Sequence, residues 1–147
     1  MTSTTRTTRP VAEALYALGA TVVRRAPRAV GLTAISTLAT LERTGPRRVT
    51  DLAGVQGVSQ PSMTSLVTGL ERAGYVERRD DPTDKRAALV ALTDAGTDTL
   101  RERRRLGTAS VAELVDQLSP DDRASLEAAL PALRRLRELD EEQRERA

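Results

Sequence analysis

The sequence contains no cysteine and no histidine among its 147 residues. Without cysteine the chain can form no disulfide, sense no oxidant through a thiol and use no cysteine nucleophile. Without histidine it lacks both the commonest metal ligand and the commonest general acid–base group. We therefore expect a protein that is not an enzyme and that carries neither a cofactor nor a metal.

Aromatic residues and long apolar runs are also scarce. The chain has two Tyr and neither Phe nor Trp, so its core must be built from Leu, Val, Ile and Ala. The first ten residues, MTSTTRTTRP, lack the apolar segment of a signal peptide, and no stretch has the length and apolarity of a membrane span. The length fits one domain, and we expect the protein in the cytoplasm.

Positive charge is concentrated in the first third of the chain. Residues 1–50 contain eight Arg and two Glu, whereas the rest of the chain has a small net negative charge. A basic front half combined with an acidic tail indicates a polyanionic partner on one side of the molecule.

Helical periodicity is visible at both ends of the chain. Residues 1–9 have no apolar period and should form a flexible arm, while Pro10 should open a single folded unit that begins with a helix over 10–29. Further long helices are expected over 97–140. Both ends carry narrow apolar stripes, formed by Val11, Leu15 and Leu18 and by Leu126, Leu130 and Leu133. The first stripe could face the chain's own core or another subunit.

The middle of the chain predicts a helix-turn-helix. A short helix with Thr50 as its cap ends at Gly57, and a second helix over 59–73 follows at once with Ser59 as its cap. Four apolar residues of the second helix fall at helical spacing and should face inward: Met63, Leu66, Val67 and Leu70.

A two-stranded ribbon should follow the second helix. Residues 75–79 and 87–92 have strand character and flank the seven-residue loop DDPTDKR, which is too long for a two-residue hairpin turn. Because this ribbon comes directly after a helix-turn-helix, residues 30–96 predict a winged helix. The fold class is mainly α with a small β wing of two or three strands, flanked by N- and C-terminal helices.

The outward face of the second helix consists of short donors and acceptors: Gln60, Pro61, Ser62, Thr64, Ser65 and Thr68. Such side chains can reach phosphates and base edges at close approach. A solvated helix face would have the same composition, and for the face alone the two interpretations have equal weight. The helix-turn-helix context favours DNA contact.

The segment VTDLAGVQGVSQPSMTSLVTGLERAGYVERRDDPTDKRAALVALTDAG resembles the core of the MarR family of winged-helix regulators. The most specific signature is D-x-R followed by L-T, here DKR at 84–86 and LT at 92–93. The flanking helices match as well, so that the resemblance extends from about Pro10 to Leu139.

The resemblance implies an obligate homodimer with interleaved terminal helices, formed by residues 10–29 and 97–140, and two winged helices that meet a pseudo-palindromic operator. It implies that Arg86 enters the minor groove and that Asp84 steadies its guanidinium. Members of the family typically release DNA when a small anionic or phenolic ligand binds. A repressor with a possible small-molecule effector is therefore expected, and no residues are assigned to the ligand.

One departure from the family concerns charge. The second helix carries no Lys or Arg before Arg72, and Ser65 stands where the family often has a basic residue. Phosphate attraction must come from residues around that helix: Arg47, Arg48, Arg72, Arg78, Arg79, Lys85 and Arg86. Two other functions stay open. One is a sequence-tolerant architectural DNA binder, which the uncharged face suggests, and the other is a helical protein that binds another protein.

Overall fold

A computed structural model describes residues 4–25 and 30–146, with side chains except at residues 4–7, 85, 86 and 144–146. The elements are, in order, α1 (Thr4–Arg25), α2 (Leu32–Thr44), β1 (Arg47–Arg48), α3 (Val49–Gln56), α4 (Gln60–Arg72), β2 (Val76–Asp81), β3 (Asp84–Leu92), α5 (Asp94–Val115) and α6 (Pro120–Arg146). The chain forms two compact units, Met1–Thr108 and Ala109–Ala147. The single folded unit that the sequence predicted from Pro10 onward stays a prediction.

The first helix starts earlier than predicted, and its predicted end, residues 26–29, lies outside the described residues. It begins at Thr4 instead of Pro10, so that the part of the expected arm after residue 3 is helical. Proline removes only one backbone hydrogen bond, and the bonds on either side of it can keep the helix continuous. A salt bridge between Arg9 Nε and Glu13 Oε1, at 2.8 Å, spans Pro10 and supports this continuity.

The last helix starts with a side-chain cap. Ser119 Oγ accepts a hydrogen bond from the backbone N–H of Asp122 at 3.1 Å and donates one to its carboxylate at 2.7 Å, which caps α6. The helix continues through Pro131. Within the described ranges, no helix combines the length and apolarity that a membrane span requires.

The core of the first unit lies beneath the helix-turn-helix. It joins α2, α3, α4, β2, β3 and the start of α5 through Leu38, Leu41, Leu52, Ala53, Met63, Val67, Leu70, Val76, Val90 and Leu100. Three of the four residues of α4 predicted to face inward are buried members of this cluster, and the fourth, Leu66, packs against it. The position of α4 is thereby set by apolar packing along its whole length.

The two helices of the helix-turn-helix begin differently from one another. Ser59 caps α4 as predicted, because its Oγ accepts the backbone N–H of Ser62 at 3.3 Å. The prediction that Thr50 caps α3 was wrong. That helix begins at Val49, and Arg48 is the residue before it, with an extended backbone and no side-chain capping bond. The strand β1 runs directly into α3, which leaves no separate capping residue.

The sheet has three antiparallel strands in the order β1-β3-β2. Its two long strands reach further than predicted, so that the turn between Asp81 and Asp84 contains only Pro82 and Thr83. The seven-residue loop was therefore a wrong prediction. The D-P-T-D sequence places Asp and Pro where a four-residue turn favours them, and a carboxylate bond to the turn replaces the longer loop.

The start of α5 packs tightly against the base of the wing. Thr93 caps this helix, since its Oγ1 accepts the N–H of Gly96 at 3.1 Å. A Cβ atom on Gly96 would lie 2.2 Å from the carbonyl oxygen of Tyr75 and 2.6 Å from Cδ1 of Leu92. The L-T-D-A-G sequence is therefore explained by the structure. Thr93 caps α5, and Gly96 has no side chain that could clash with the base of the wing.

Candidate nucleic-acid interface

The outward surface of α4 brings together all the residues that the sequence assigned to it. Met63, Val67 and Leu70 are buried beneath the helix, so the opposite side faces outward. Along that side Thr68 is half-buried and the others are exposed: Gln60, Pro61, Ser62, Thr64 and Ser65. The result is a continuous polar surface on a rigidly held helix.

The hydroxyl groups of this surface are oriented by the helix itself. Thr64 Oγ1 donates to the carbonyl of Gln60 at 2.9 Å, and Thr68 Oγ1 donates to the carbonyl of Thr64 at 2.9 Å. Because each hydroxyl hydrogen is used within the helix, the oxygen of each threonine is left to act as an acceptor. Acceptors of this kind match the amino groups of adenine and cytosine in the major groove, and methyl groups match the C5-methyl of thymine.

The turn between α3 and α4 depends on a left-handed glycine. Gly57 has φ 63° and ψ 33°, and its N–H points back to the carbonyls of Ala53 and Gly54. Val58 also donates to the carbonyl of Ala53, at 3.1 Å. A residue with a side chain would be strained at this φ, so glycine allows only three residues to separate α3 from α4.

The predicted phosphate contacts of the wing stand next to carboxylates. Arg78 Nε lies 3.2 Å from Glu71 Oε2, and Arg79 Nη2 lies 2.6 Å from Glu77 Oε1. Both pairs are solvent-exposed, and such pairs contribute little to stability, so either guanidinium can turn to a phosphate at small cost. Arg72, at the end of α4, makes no ion pair with any described residue.

The pairing of β2 with β3 is irregular near the tip of the wing. Asp80 pairs with Ala88, but the next residue, Asp81, pairs with Asp84, so that residues 85–87 have no partner positions on β2. A bulge of this kind bends a strand and redirects its side chains. The backbones of Lys85 and Arg86 lie in this segment, and their side chains lie outside the described part of the structure.

The predicted contact between Asp84 and Arg86 stays a prediction. Simple alternation along a strand would put the two side chains on one side, but the bulge interrupts that alternation. The carboxylate of Asp84 lies 3.9 Å from Nη2 of Arg48. The sequence had assigned Arg48 to phosphate attraction and had not connected it with the wing.

The carboxylate of Asp81 accepts four hydrogen bonds within the wing and from the residue before α3. The sequence did not identify Asp81 as a site residue. Arg48 Nε and Nη2 bond to its Oδ2 at 2.8 and 2.5 Å, and the backbone and hydroxyl of Thr83 bond to its Oδ1 at 2.8 and 2.6 Å. Only 5% of Asp81 is exposed. Hydrogen bonds from Thr83, followed by those from Arg48, lower the pKa of Asp81 to about 2.

A cavity of about 340 Å³ lies in the first unit beside the helix-turn-helix. It is lined by Val30, Ile35, Tyr75, Asp98, Thr99, Glu102, Arg103 and Leu106. The negative charges of its two carboxylates are compensated by nearby guanidinium groups, because Asp98 lies 3.4 Å from Arg101 and Glu102 lies 2.7 Å from Arg105. No group of Asp and Glu side chains in the described ranges is arranged to hold a metal ion.

A helix-turn-helix on an apolar core, with an exposed hydroxyl surface and an adjoining three-stranded wing, makes this chain a winged helix-turn-helix protein. The sequence profile of the MarR family matches residues 31–88. The HTH-type transcriptional regulator MT0903.1 of Mycobacterium tuberculosis is 32% identical over 100 residues, which are 68% of this chain and 70% of that protein. The chain belongs to the MarR family of transcriptional regulators, as its sequence predicted.

Solved structures have the same fold. YusO from Bacillus subtilis is 20% identical with a TM-score of 0.68, covering 90% of this chain and 98% of that one. A mutant of S. aureus MepR bound to an oligodeoxyribonucleotide is 18% identical with a TM-score of 0.61, covering 90% of this chain and 96% of that one. The predicted fold class, mainly α with a small β wing, is confirmed.

Proposed function

We propose that the chain represses transcription as a homodimer that binds a pseudo-palindromic operator. The outward surface of α4 carries the proposal, because its polar residues stand on a buried core next to a wing. Such a helix fits the major groove, and its short side chains allow close approach to base edges. Repression is the mode typical of the family. A chromosomal partner is the reason to expect the protein in the cytoplasm.

In this proposal the contacts divide by chemistry. The base edges face the residues of α4, namely Gln60, Pro61, Ser62, Thr64, Ser65 and Thr68. Phosphates are bound by cations around that helix, namely Arg72, Arg78, Arg79 and Lys85. Arg86 enters the minor groove, where a narrow electronegative groove favours a guanidinium, and Asp84 orients it. The bulge at residues 85–87 supports this role, since it redirects side chains at the tip of the wing.

The terminal helices supply the dimer interface in this proposal. On α1, Val11 and Leu18 are half exposed, with Leu15 partly buried between them. On α6, Leu126, Leu130 and Leu133 are 37–44% exposed. Regularly spaced leucines that remain exposed in one protomer are what a second copy would cover.

The cavity beside the helix-turn-helix is the proposed site for a small effector that releases DNA. Its volume, about 340 Å³, lies in the range of small-molecule pockets, and its walls combine apolar side chains with a few polar ones. It is lined both by Tyr75, at the base of the wing, and by Ile35 of α2, which packs against the core of the winged helix. A ligand bound there could therefore change the position of the reading elements.

Affinity measurements at two salt concentrations test the proposal. We expect tighter binding to the DNA upstream of the protein's own coding region than to the same fragment scrambled. The slope of log affinity against log salt should become more negative by about 0.9 for each phosphate contact. Equal affinity for both fragments would favour an architectural DNA binder, which the uncharged surface of α4 makes the main competitor. Absence of binding to either would favour a protein partner.

A pair of substitutions in Thr64 separates base reading from general attraction. Thr64→Val removes the outward acceptor and keeps the shape, whereas Thr64→Ser removes the methyl group and keeps the acceptor. Each should reduce the preference for upstream DNA by about fivefold, since a single base contact carries roughly 1 kcal/mol of discrimination. Thr97→Val is the matched control, because Thr97 in α5 makes the same type of bond to a helix carbonyl.

A further inference from the structure

The contact between Arg48 and Asp81 joins parts of the molecule that lie 33 residues apart in the chain. Arg48 directly precedes α3, the first helix of the helix-turn-helix. Asp81 ends β2 and opens the two-residue turn at the tip of the wing. One side-chain contact thus connects the start of the DNA-reading helices to the far end of the wing.

The outer part of the wing has little other support. The short strand β1 pairs with β3 only at Val90 and Leu89, so that β3 between Leu89 and the turn has a strand on one side alone, from Ala88 onward. The ladder with β2 is itself interrupted at residues 85–87. Two-stranded ribbons are marginally stable and twist readily, so the direction of this part must be set by side chains.

The geometry of the contact suits that task. Because the strand order is β1-β3-β2, Arg48 must extend across β3 to reach Asp81, over roughly 10 Å for two strand spacings. The two carboxylate oxygens of Asp81 accept hydrogen bonds from two different directions. Oδ2 accepts from Arg48, and Oδ1 accepts from the backbone and hydroxyl of Thr83 in the turn. Because Asp81 and Thr83 belong to the same turn, a movement of the tip away from α3 would break the bonds to Arg48.

We infer that Arg48 and Asp81 form a positioning pair, which holds the wing at a fixed angle to the helix-turn-helix so that Arg86 meets the minor groove. Arg48 then acts on DNA affinity through Arg86, and it does not bind phosphate itself. This inference rests on the proposed function, and it replaces the role in phosphate attraction that the sequence gave to Arg48.

The charge around Arg48 supports this distinction. Two of its nitrogens are engaged by the nearly buried carboxylate of Asp81, and a second carboxylate, Asp84, lies at 3.9 Å. Its positive charge is therefore compensated within the protein. The adjacent Arg47 is exposed, and the only hydrogen bond of its side chain within the described residues is to the hydroxyl of Thr44 at 3.1 Å. Arg47 is the matched control, since it differs from Arg48 mainly in its partner.

A double-mutant cycle tests the inference. Arg48→Met, Arg86→Ala and the double variant are titrated with the upstream DNA fragment, at a temperature where circular dichroism shows each of them folded. Arg48→Met alone should weaken binding by about tenfold, the size of coupling that residues in one network show. In the Arg86→Ala background it should weaken binding by less than about twofold, because the contact through which it acts is already lost.

Salt dependence gives the second readout of the same titrations. In the Arg86→Ala background, Arg48→Met should leave the negative slope of log affinity against log salt unchanged, whereas loss of a separate phosphate ligand would make it less steep by about 0.9. Additive effects of the two substitutions, or a less steep slope in the Arg86→Ala background, would overturn the inference and leave the proposed function intact. Wild-type protein that binds neither fragment would overturn both.

A readout without DNA is available because the chain has no cysteine of its own. Ala88→Cys places a single thiol at an exposed position next to the bulge, where it can carry a nitroxide spin label. Arg48→Met should increase the mobility of that label, and Arg47→Met should not. Equal label mobility in wild-type protein and in Arg48→Met would show that the pair does not fix the wing, and would contradict the inference directly.

Discussion

Two glycine-to-alanine substitutions in α5 should change stability in opposite directions. At Gly96 a Cβ atom would lie 2.2 Å from the carbonyl oxygen of Tyr75, where ordinary contact starts at 3.4 Å, so the backbone would have to move by about 1 Å. That carbonyl cannot retreat easily, because it accepts the N–H of Thr93 at 3.1 Å. At Gly107, in the same helix, no atom lies within 4 Å of the added Cβ.

The magnitudes follow from packing and from helix propensity. Forcing a methyl group into a packed region costs about 3 kcal/mol at the upper end of the usual range, and alanine recovers about 1 kcal/mol of helix propensity. Gly96→Ala should therefore lower the free energy of unfolding by about 2 kcal/mol, which for a chain of this size lowers Tm by about 6 °C. Gly107→Ala should raise the free energy of unfolding by about 0.5–1 kcal/mol.

Thermal unfolding followed by circular dichroism, at one protein concentration for all variants, measures both changes. The pair is informative because the two variants share a helix, a substitution and a propensity gain, and differ only in what surrounds the new methyl group. If Gly96→Ala were as stable as Gly107→Ala, the close approach of α5 to the base of the wing would be wrong.

Two further predictions concern the loss of stability at acid pH and the dimer interface. Because the pKa of Asp81 in the folded protein is about 2, below its unfolded value of about 3.9, its stabilising effect is present above that window and is lost as pH falls through it. The stability difference between wild-type protein and Asp81→Asn in urea should be smaller at about pH 3 than at about pH 6; an equal difference would contradict the assigned charge. Leu133→Gln should shift the sedimentation coefficient from that of a dimer to that of a monomer, and Ala132→Gln should not. If Leu133→Gln remained a dimer, the proposal that α6 lies in the dimer interface would be wrong.

The sequence predicts most of the winged helix because its signals there are local. The spacing of Met63, Val67 and Leu70 identifies the buried side of α4, and Ser59 and Thr93 lie directly at the helix starts that they cap. Each of these patterns is complete within one helical turn or two, so no knowledge of the tertiary structure is needed to interpret it.

The features that the sequence missed depend on contacts between distant segments. Arg48 and Asp81 are separated by 33 residues, and either one alone looks like an ordinary surface charge. The two-residue turn at Pro82 and Thr83 was concealed by the charges around it, although the D-P-T-D pattern is a turn signal. The start of α1 was misplaced at Pro10, because proline favours a helix start and can also lie inside a helix.

The central claim is that the wing and α4 together read a specific DNA sequence. The most direct test compares the affinities of wild-type protein, Arg86→Ala and Arg137→Ala for the upstream fragment and for its scrambled form. Arg137→Ala is the control, since it removes the same charge from the exposed surface of α6. We expect wild-type protein and Arg137→Ala to prefer the upstream fragment equally and Arg86→Ala to bind it severely more weakly. An Arg86→Ala variant with wild-type affinity and preference would contradict the account.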